Sequence, residues 1–185
     1  MRCHHQFKNE SINTEALLAL VKEVEPADLS YRIWAIKDCS KIAELISNTT
    51  LNLPRVESVV MGRLPPHTKS VIHIDQVPGR TNHIVVVNVP LTPSKLVRMN
   101  WFRPLRDNSL IPTPAAYGNK GTVTKILDED AEQIDSITCE LPFFARTDVL
   151  HNVSNRSNQL AYVMSLRVTD PAVITFSDPL ADFLK

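Results

Sequence analysis

The sequence has few glycines, few cysteines and no long hydrophobic segment. Its three cysteines, Cys3, Cys39 and Cys139, are widely spaced and indicate neither a disulfide framework nor a Cys-x-x-Cys zinc site. No apolar run is long enough to span a bilayer, and the first residues lack the apolar core of a secretion signal. We therefore expect a cytoplasmic protein without a membrane partner.

The sequence also lacks an excess of charge of either sign. It has 20 basic and 20 acidic residues, which gives a formal net charge of zero. Because nothing in it resembles the basic surface of a nucleic-acid-binding protein, we expect no nucleic-acid partner. A length of 185 residues predicts a single domain, 1–185, with a substantial hydrophobic core. The sequence does not predict an oligomeric state.

Thirteen prolines divide the chain into short segments. Residues 1–55 are predicted to form a partly helical N-terminal flank, in which Asn13 or Thr14 caps a helix that ends near Pro26. From 56 to 176, short β-rich runs alternate with turn residues, which predicts a mainly β core built as a two-sheet jelly roll or barrel with a few flanking helices. The predicted strands are 56–64, 69–75, 83–89, 96–102, 122–127, 134–140, 143–153, 160–168 and 173–176, with a long polar connection over 104–121.

Two histidines and one aspartate form the most informative pattern in the chain. His73 and Asp75 are two residues apart in a β-rich run, and alternate side chains of a strand share a face. His151 lies in a second β-rich run far along the chain. If His151 meets the first two, the three residues form the two-histidine, one-carboxylate set that leaves open positions on ferrous iron. The competing interpretation is a chance His-x-Asp in a chain with six histidines.

Three stretches, at 63–75, at 84–91 with 99–102, and at 144–157 with 162–168, carry a resemblance to a known family. Together they resemble the iron(II)/2-oxoglutarate-dependent dioxygenase superfamily, in particular its small aspartyl/asparaginyl-hydroxylase-like and phage-encoded members. The resemblance covers roughly residues 56 to 168. It implies a double-stranded β-helix, or cupin-like jelly roll. It also implies that His73, Asp75 and His151 are the catalytic iron ligands.

The sequence departs from the family at the residue that holds the cosubstrate. Family members carry Arg or Lys at the start of the closing strand, where it pairs with the distal carboxylate of 2-oxoglutarate. The matching position here is Ala161. Arg167 is six residues further along, roughly 20 Å away on an extended strand, and is not expected to substitute. The candidates are Arg80, Arg98 and Arg156, with no order among them.

Asn88 is a further candidate for the cosubstrate site. It lies between Val87 and Val89 in a run that reads as a buried strand. A buried amide needs hydrogen-bond partners. Asn88 is therefore predicted to bond either a cosubstrate carboxylate or a neighbouring strand.

Two functions follow from these patterns. The first is an iron(II)- and 2-oxoglutarate-dependent dioxygenase that hydroxylates a small-molecule or peptide substrate. The second is a cupin-like metal-binding protein that is not an enzyme or catalyses a different reaction. The absence of a basic residue at Ala161 favours the second.

Overall fold

The computed structural model describes residues 3–6, 12–26, 33–36, 40–47, 56–75, 85–106, 109–114 and 122–168. These residues form two α-helices, one short 3₁₀ helix and thirteen strands. None of the helices in these ranges is long and apolar enough to cross a membrane. The predicted strand at 173–176 lies outside the described residues.

The strands fall into two antiparallel sheets. The helices are α1 (Thr14–Glu23), α2 (Ser40–Ser47) and the 3₁₀ helix Asp128–Asp130. The strands are β1 (His4–Gln6), β2 (Ile33–Ile36), β3 (Val56–Leu64), β4 (Thr68–Lys69), β5 (Ile72–Ile74), β6 (Val85–Pro90), β7 (Ser94–Pro104), β8 (Ile111–Pro114), β9 (Thr122–Ile126), β10 (Ala131–Cys139), β11 (Phe143–Arg146), β12 (His151–Asn155) and β13 (Ala161–Val168).

The chain passes back and forth between these two sheets. One sheet has the order β1-β11-β6-β13-β3-β2, and the other has the order β10-β7-β12-β5-β9-β8, with β4 paired to β12. From β5 to β7, and again from β10 to β13, successive strands alternate between the sheets. This winding confirms the predicted mainly β, jelly-roll fold with few helices.

The predicted polar connection over 104–121 contains a strand that sequence reasoning missed. β8 pairs antiparallel with β9 at the edge of the seven-stranded sheet. It includes Pro112 and Pro114, and proline is uncommon inside a sheet because it cannot donate a backbone hydrogen bond. An edge strand tolerates proline because one of its sides needs no partner.

The helical flank packs on the outer face of the six-stranded sheet. As predicted, Asn13 caps α1, and its side chain accepts a hydrogen bond from the Ala16 N–H at 2.9 Å. Glu25, just after the helix, accepts hydrogen bonds from Arg63 at 2.6 Å and from the Tyr162 hydroxyl at 3.0 Å. The buried side chains under the helices form one apolar cluster that includes Leu17, Val21, Trp34, Met61, Met164 and Leu166.

A second apolar cluster fills part of the space between the sheets. It contains Trp101, Met99, Phe143, Cys139 and Ala161, all of which are buried. Ala161, the position where the family places its basic residue, is therefore a small core residue. The rest of the space between the sheets holds the cavity described below.

Leu166→Ala should destabilise the fold strongly. Leu166 is fully buried in the cluster under the helices, and removing a buried leucine side chain costs about 2–5 kcal/mol. The matched control is Leu96→Ala on β7, where the side chain is 52% exposed and the expected change is within about 0.5 kcal/mol. Urea denaturation of both variants measures the difference, and equal midpoints would contradict this packing.

Candidate metal centre

His73, Asp75 and His151 meet at the junction of two neighbouring strands. β5 and β12 pair antiparallel, with His73 directly opposite His151, and the two imidazole ring centroids are 4.6 Å apart. Asp75 follows the end of β5, where its backbone N–H donates to the Thr147 carbonyl at 3.0 Å. One ligand atom from each of the three residues lies within 4.8 Å of the others. The structure therefore brings the three predicted residues together.

Both imidazoles are held in the orientation that a metal ligand requires. Nδ1 of His73 donates to the Val71 carbonyl at 2.9 Å, and Nδ1 of His151 donates to the Val149 carbonyl at 2.8 Å. Because a carbonyl oxygen only accepts hydrogen bonds, each Nδ1 carries a proton, and Nε2 is the nitrogen that would bind a metal once it carries no proton. Nε2 of His73 lies 3.4 Å from Oδ1 of Asp75. Backbone carbonyls commonly orient metal-binding histidines in this way.

Burial and neighbouring charges set the protonation states of the three residues. Burial opposes ionisation of Asp75, but the hydrogen bond from His73 and the charges of His151, His73 and Arg167 outweigh it and lower the pKa of the carboxyl. Burial lowers the pKa of His151 to about 4, and the charge of His73 acts in the same direction. For His73, the hydrogen bond and charge of Asp75 outweigh burial and raise its pKa. At neutral pH, Asp75 is therefore ionised and His151 is neutral, as metal ligation requires.

This donor set fits a divalent metal ion. Ligand atoms bound to one ion at about 2.0–2.2 Å lie about 3 Å from each other. The 3.4 Å between His73 Nε2 and Asp75 Oδ1 is already close to that separation. Two imidazole nitrogens and one carboxylate oxygen on the same side of an ion leave its other positions open. The chemistry of the set suits iron(II).

The three residues line a cavity of ≈ 170 Å³ between the two sheets. Most of its other lining side chains are apolar, and they come from both sheets: Val86, Met99, Phe143, Val153 and Val163. A few polar groups also face it, among them Asn88, Ser165 and Arg167. A mostly apolar cavity with a few convergent polar groups is typical of a site for a small ligand.

Arg167 reaches the three residues, contrary to the prediction from sequence. Its Nη2 atom lies 3.5 Å from Oδ2 of Asp75, and its side chain lines the cavity. That prediction considered only how far Arg167 lies from Ala161 along the closing strand. In the structure Ala161 lies at the far end of β13, within the apolar cluster, and the Arg167 end of the strand approaches Asp75. The signal that could have revealed this is the alternation of Val163, Ser165 and Arg167 on one face of β13.

Two of the three predicted basic residues do not line the cavity, which corrects the prediction. Arg98 is exposed on β7, next in sequence to the cavity-lining Met99, and points to the opposite face, where its Nη1 lies 3.5 Å from Ser136 Oγ. Arg156 is exposed in the turn after β12. The sequence alone does not show whether a turn residue such as Arg156 is buried. It also does not show which face of β7 lies inward. Arg80 lies outside the described residues.

Asn88 is buried, with 4% of its surface exposed, and it faces the cavity from β6. Its Oδ1 accepts a hydrogen bond from the Ser165 hydroxyl on β13, so the predicted bond to a neighbouring strand is present. Within the described part of the chain, its Nδ2 donates to the Met99 sulfur, at 3.5 Å. A thioether is a weak acceptor, which leaves the amide N–H groups able to donate to a ligand.

No protein-family model matches this sequence, and no curated protein matches it. Among solved structures, the non-heme alpha ketoglutarate dependent carbocyclase SnoK, from nogalamycin biosynthesis, is similar with a TM-score of 0.52. The sequence identity is 12%, over 97% of this chain and 85% of SnoK. AviO1 from Streptomyces viridochromogenes Tue57 is similar with a TM-score of 0.50 and 11% identity, over 92% of this chain and 90% of AviO1.

At these identities the likeness concerns the fold alone. The chain also spans 66% of the length of the non-heme monooxygenase ThoJ, at 16% identity and a TM-score of 0.47. The two-sheet arrangement of the described strands agrees with the jelly-roll fold that the family resemblance implies, and SnoK is similar in fold over nearly the whole chain.

Proposed function

We propose that this protein is an iron(II)- and 2-oxoglutarate-dependent dioxygenase that hydroxylates a small molecule or a peptide side chain. One observation carries the proposal: ligand atoms of His73, Asp75 and His151 lie within 4.8 Å of one another in a cavity that also holds a basic residue. Iron bound there would activate oxygen while 2-oxoglutarate is converted to succinate and carbon dioxide.

Arg167 is the cavity cation best placed to hold the cosubstrate. The described cavity lining contains two other cations, Arg63 and Lys69. Arg63 is held by Glu25 at 2.6 Å and Lys69 by Asp128 on the exposed surface, whereas Arg167 lies beside the three residues, 3.5 Å from Asp75. A guanidinium matches a carboxylate with two parallel hydrogen bonds, so Arg167 suits the distal carboxylate of 2-oxoglutarate.

The amide of Asn88, held by Ser165, would add neutral donors to the carboxylate site beside Arg167. Ser165 precedes Arg167 by two residues and shares its face of β13. Asn88 lies opposite Ser165 in the register of β6 and β13. Its amide N–H groups, whose acceptor among the described residues is the weak one of the Met99 sulfur, would donate to a carboxylate oxygen. A buried carboxylate needs this combination of charge and hydrogen bonds because its desolvation is costly.

The apolar part of the cavity wall would position the substrate. Val86, Phe143 and Val163 face the same space as the metal ligands. Such a wall excludes water and directs a C–H bond, rather than a charged group, toward the metal. The substrate is therefore proposed to present an apolar carbon to the site.

Two observations favour the alternative, a metal-binding protein without oxygenase chemistry. Arg167 contacts a carboxylate of the protein itself, Asp75, and Ala161 is buried where the family has its basic residue. In such a protein the metal would bind, but 2-oxoglutarate would not be consumed.

Succinate formation distinguishes the proposed dioxygenase from the metal-binding alternative. The protein is incubated in air with iron(II) and 2-oxoglutarate, with and without pools of amino acids, peptides and small metabolites, and succinate is measured. The proposed function predicts slow succinate formation without substrate and faster formation with one of the pools. The zinc(II)-loaded protein is the control and should form none. Iron binding without succinate formation in any pool would support the metal-binding alternative.

A further inference from the structure

We propose that Arg167 competes with the metal for Asp75 and that binding of an acidic cosubstrate relieves this competition. The inference rests on the proposed function, since it concerns the same site. The metal and the carboxylate ligand would each bind more tightly when the other is present, because both interact with the Arg167–Asp75 pair. This effect is separate from any direct bond between the two ligands.

The carboxylate of Asp75 already has partners in the metal-free protein. Both of its carboxylate oxygens face a cationic or proton-donating partner, with His73 Nε2 3.4 Å from Oδ1 and Arg167 Nη2 3.5 Å from Oδ2. The side chains of Asp75 and Arg167 keep only 23% and 22% of their surface exposed, so water screens their charges weakly. In the metal-free protein Arg167 therefore neutralises the charge that the metal needs.

A metal ion bound to Asp75 and the guanidinium of Arg167 would repel each other. A divalent ion bound to Oδ1 of Asp75 would share that carboxylate with the guanidinium on Oδ2. Arg167 cannot lose its charge by deprotonation. It must move away, or the metal binds more weakly.

The cavity wall beside Arg167 could bind the carboxylate of an acidic ligand. Asn88 lies beside Arg167 on the cavity wall, oriented by the hydrogen bond that its Oδ1 accepts from Ser165, and its amide N–H groups can donate to a carboxylate. A carboxylate bound there would attract the guanidinium away from Asp75. Because coupling between two ligands is reciprocal, an acid that tightens metal binding by some factor is itself bound tighter by the same factor when metal is present.

Calorimetric titration with Mn(II) tests the inference. The titrations use wild type, Arg167→Gln and Arg167→Lys, each with and without glutarate. Glutarate has the two carboxylates of 2-oxoglutarate but lacks the 2-oxo oxygen through which a 2-oxo acid chelates a metal. Without acid, Arg167→Gln should bind Mn(II) tighter than wild type by roughly 5- to 150-fold, the usual range of coupling between sites, and Arg167→Lys should resemble wild type.

Glutarate should tighten Mn(II) binding in wild type and have no effect in Arg167→Gln. The matched control is Arg98→Gln, a surface arginine outside the cavity, which should behave as wild type. If Arg167→Gln binds Mn(II) equally or more weakly, Arg167 orients Asp75 instead of competing for it, and the inference is wrong. If Arg167→Gln does not fold, the effect of glutarate on wild type still decides. Wild type that binds no Mn(II) would contradict both this inference and the proposed function.

Discussion

Asp75→Ala is expected to abolish iron-dependent succinate formation and to weaken Mn(II) binding by more than about 100-fold. Even groups that only contact a metal ligand change the affinity by about 10- to 100-fold when they are mutated, and Asp75 supplies the one carboxylate of the three-residue set. Its loss also removes the negative charge that would balance the charge of the metal ion. Calorimetry with Mn(II) and a succinate assay measure the two effects.

The metal-free fold should survive this substitution. Asp75 follows the end of β5 and contacts His73 and Arg167. Since Arg167 stays partly exposed, it can hydrate when its partner is removed, and we expect a loss of about 1 kcal/mol. The matched control is Asp128→Ala, which removes an exposed carboxylate paired with Lys69 and should leave metal binding unchanged. A melting temperature many degrees lower for metal-free Asp75→Ala, with no wild-type succinate formation to lose, would show that Asp75 is structural.

Arg167→Leu should weaken the binding of 2-oxoglutarate to the Mn(II)-loaded protein by about 30-fold or more. Removing one partner of a buried, hydrogen-bonded charge pair costs about 2–5 kcal/mol, and every 1.4 kcal/mol corresponds to about tenfold in affinity. Arg167→Lys keeps the charge but loses the paired geometry of the guanidinium, so it should recover part of the affinity. Calorimetric titration of the metal-loaded proteins measures each dissociation constant.

Two surface arginines serve as controls for this prediction. Arg98 and Arg156 are exposed and do not line the cavity, and Arg98→Leu and Arg156→Leu should bind 2-oxoglutarate as wild type does. If either control loses affinity while Arg167→Leu does not, the carboxylate site has been assigned to the wrong residue.

The sequence indicated that His73, Asp75 and His151 come together, because their relation is mostly local. Strand alternation places His73 and Asp75 on one face whatever the rest of the fold does. His151 required only that its β-rich run pair next to the first one, which β12 does. The cap of α1 at Asn13 is equally local, since its side chain bonds a backbone N–H three residues away.

The sequence did not predict features that depend on which distant segments become neighbours in the folded protein. The distance along β13 from Ala161 argued against Arg167, but Asp75 lies near the other end of that strand. The short strands β1 and β2 were not predicted either, because three or four residues carry no clear alternation. They are strands because β11 and β3 provide partners for their backbone groups.

Anaerobic visible spectroscopy tests the central claim most directly. Iron(II) and then 2-oxoglutarate are added to the oxygen-free protein, and the visible spectrum is recorded after each addition. The three-residue iron site with its open positions predicts a weak metal-to-ligand charge-transfer band that requires both additions and is absent in Asp75→Ala. No band in wild type when calorimetry shows that iron and 2-oxoglutarate are both bound, or the same band in Asp75→Ala, would contradict a site in which Asp75 helps to hold an iron ion that 2-oxoglutarate chelates.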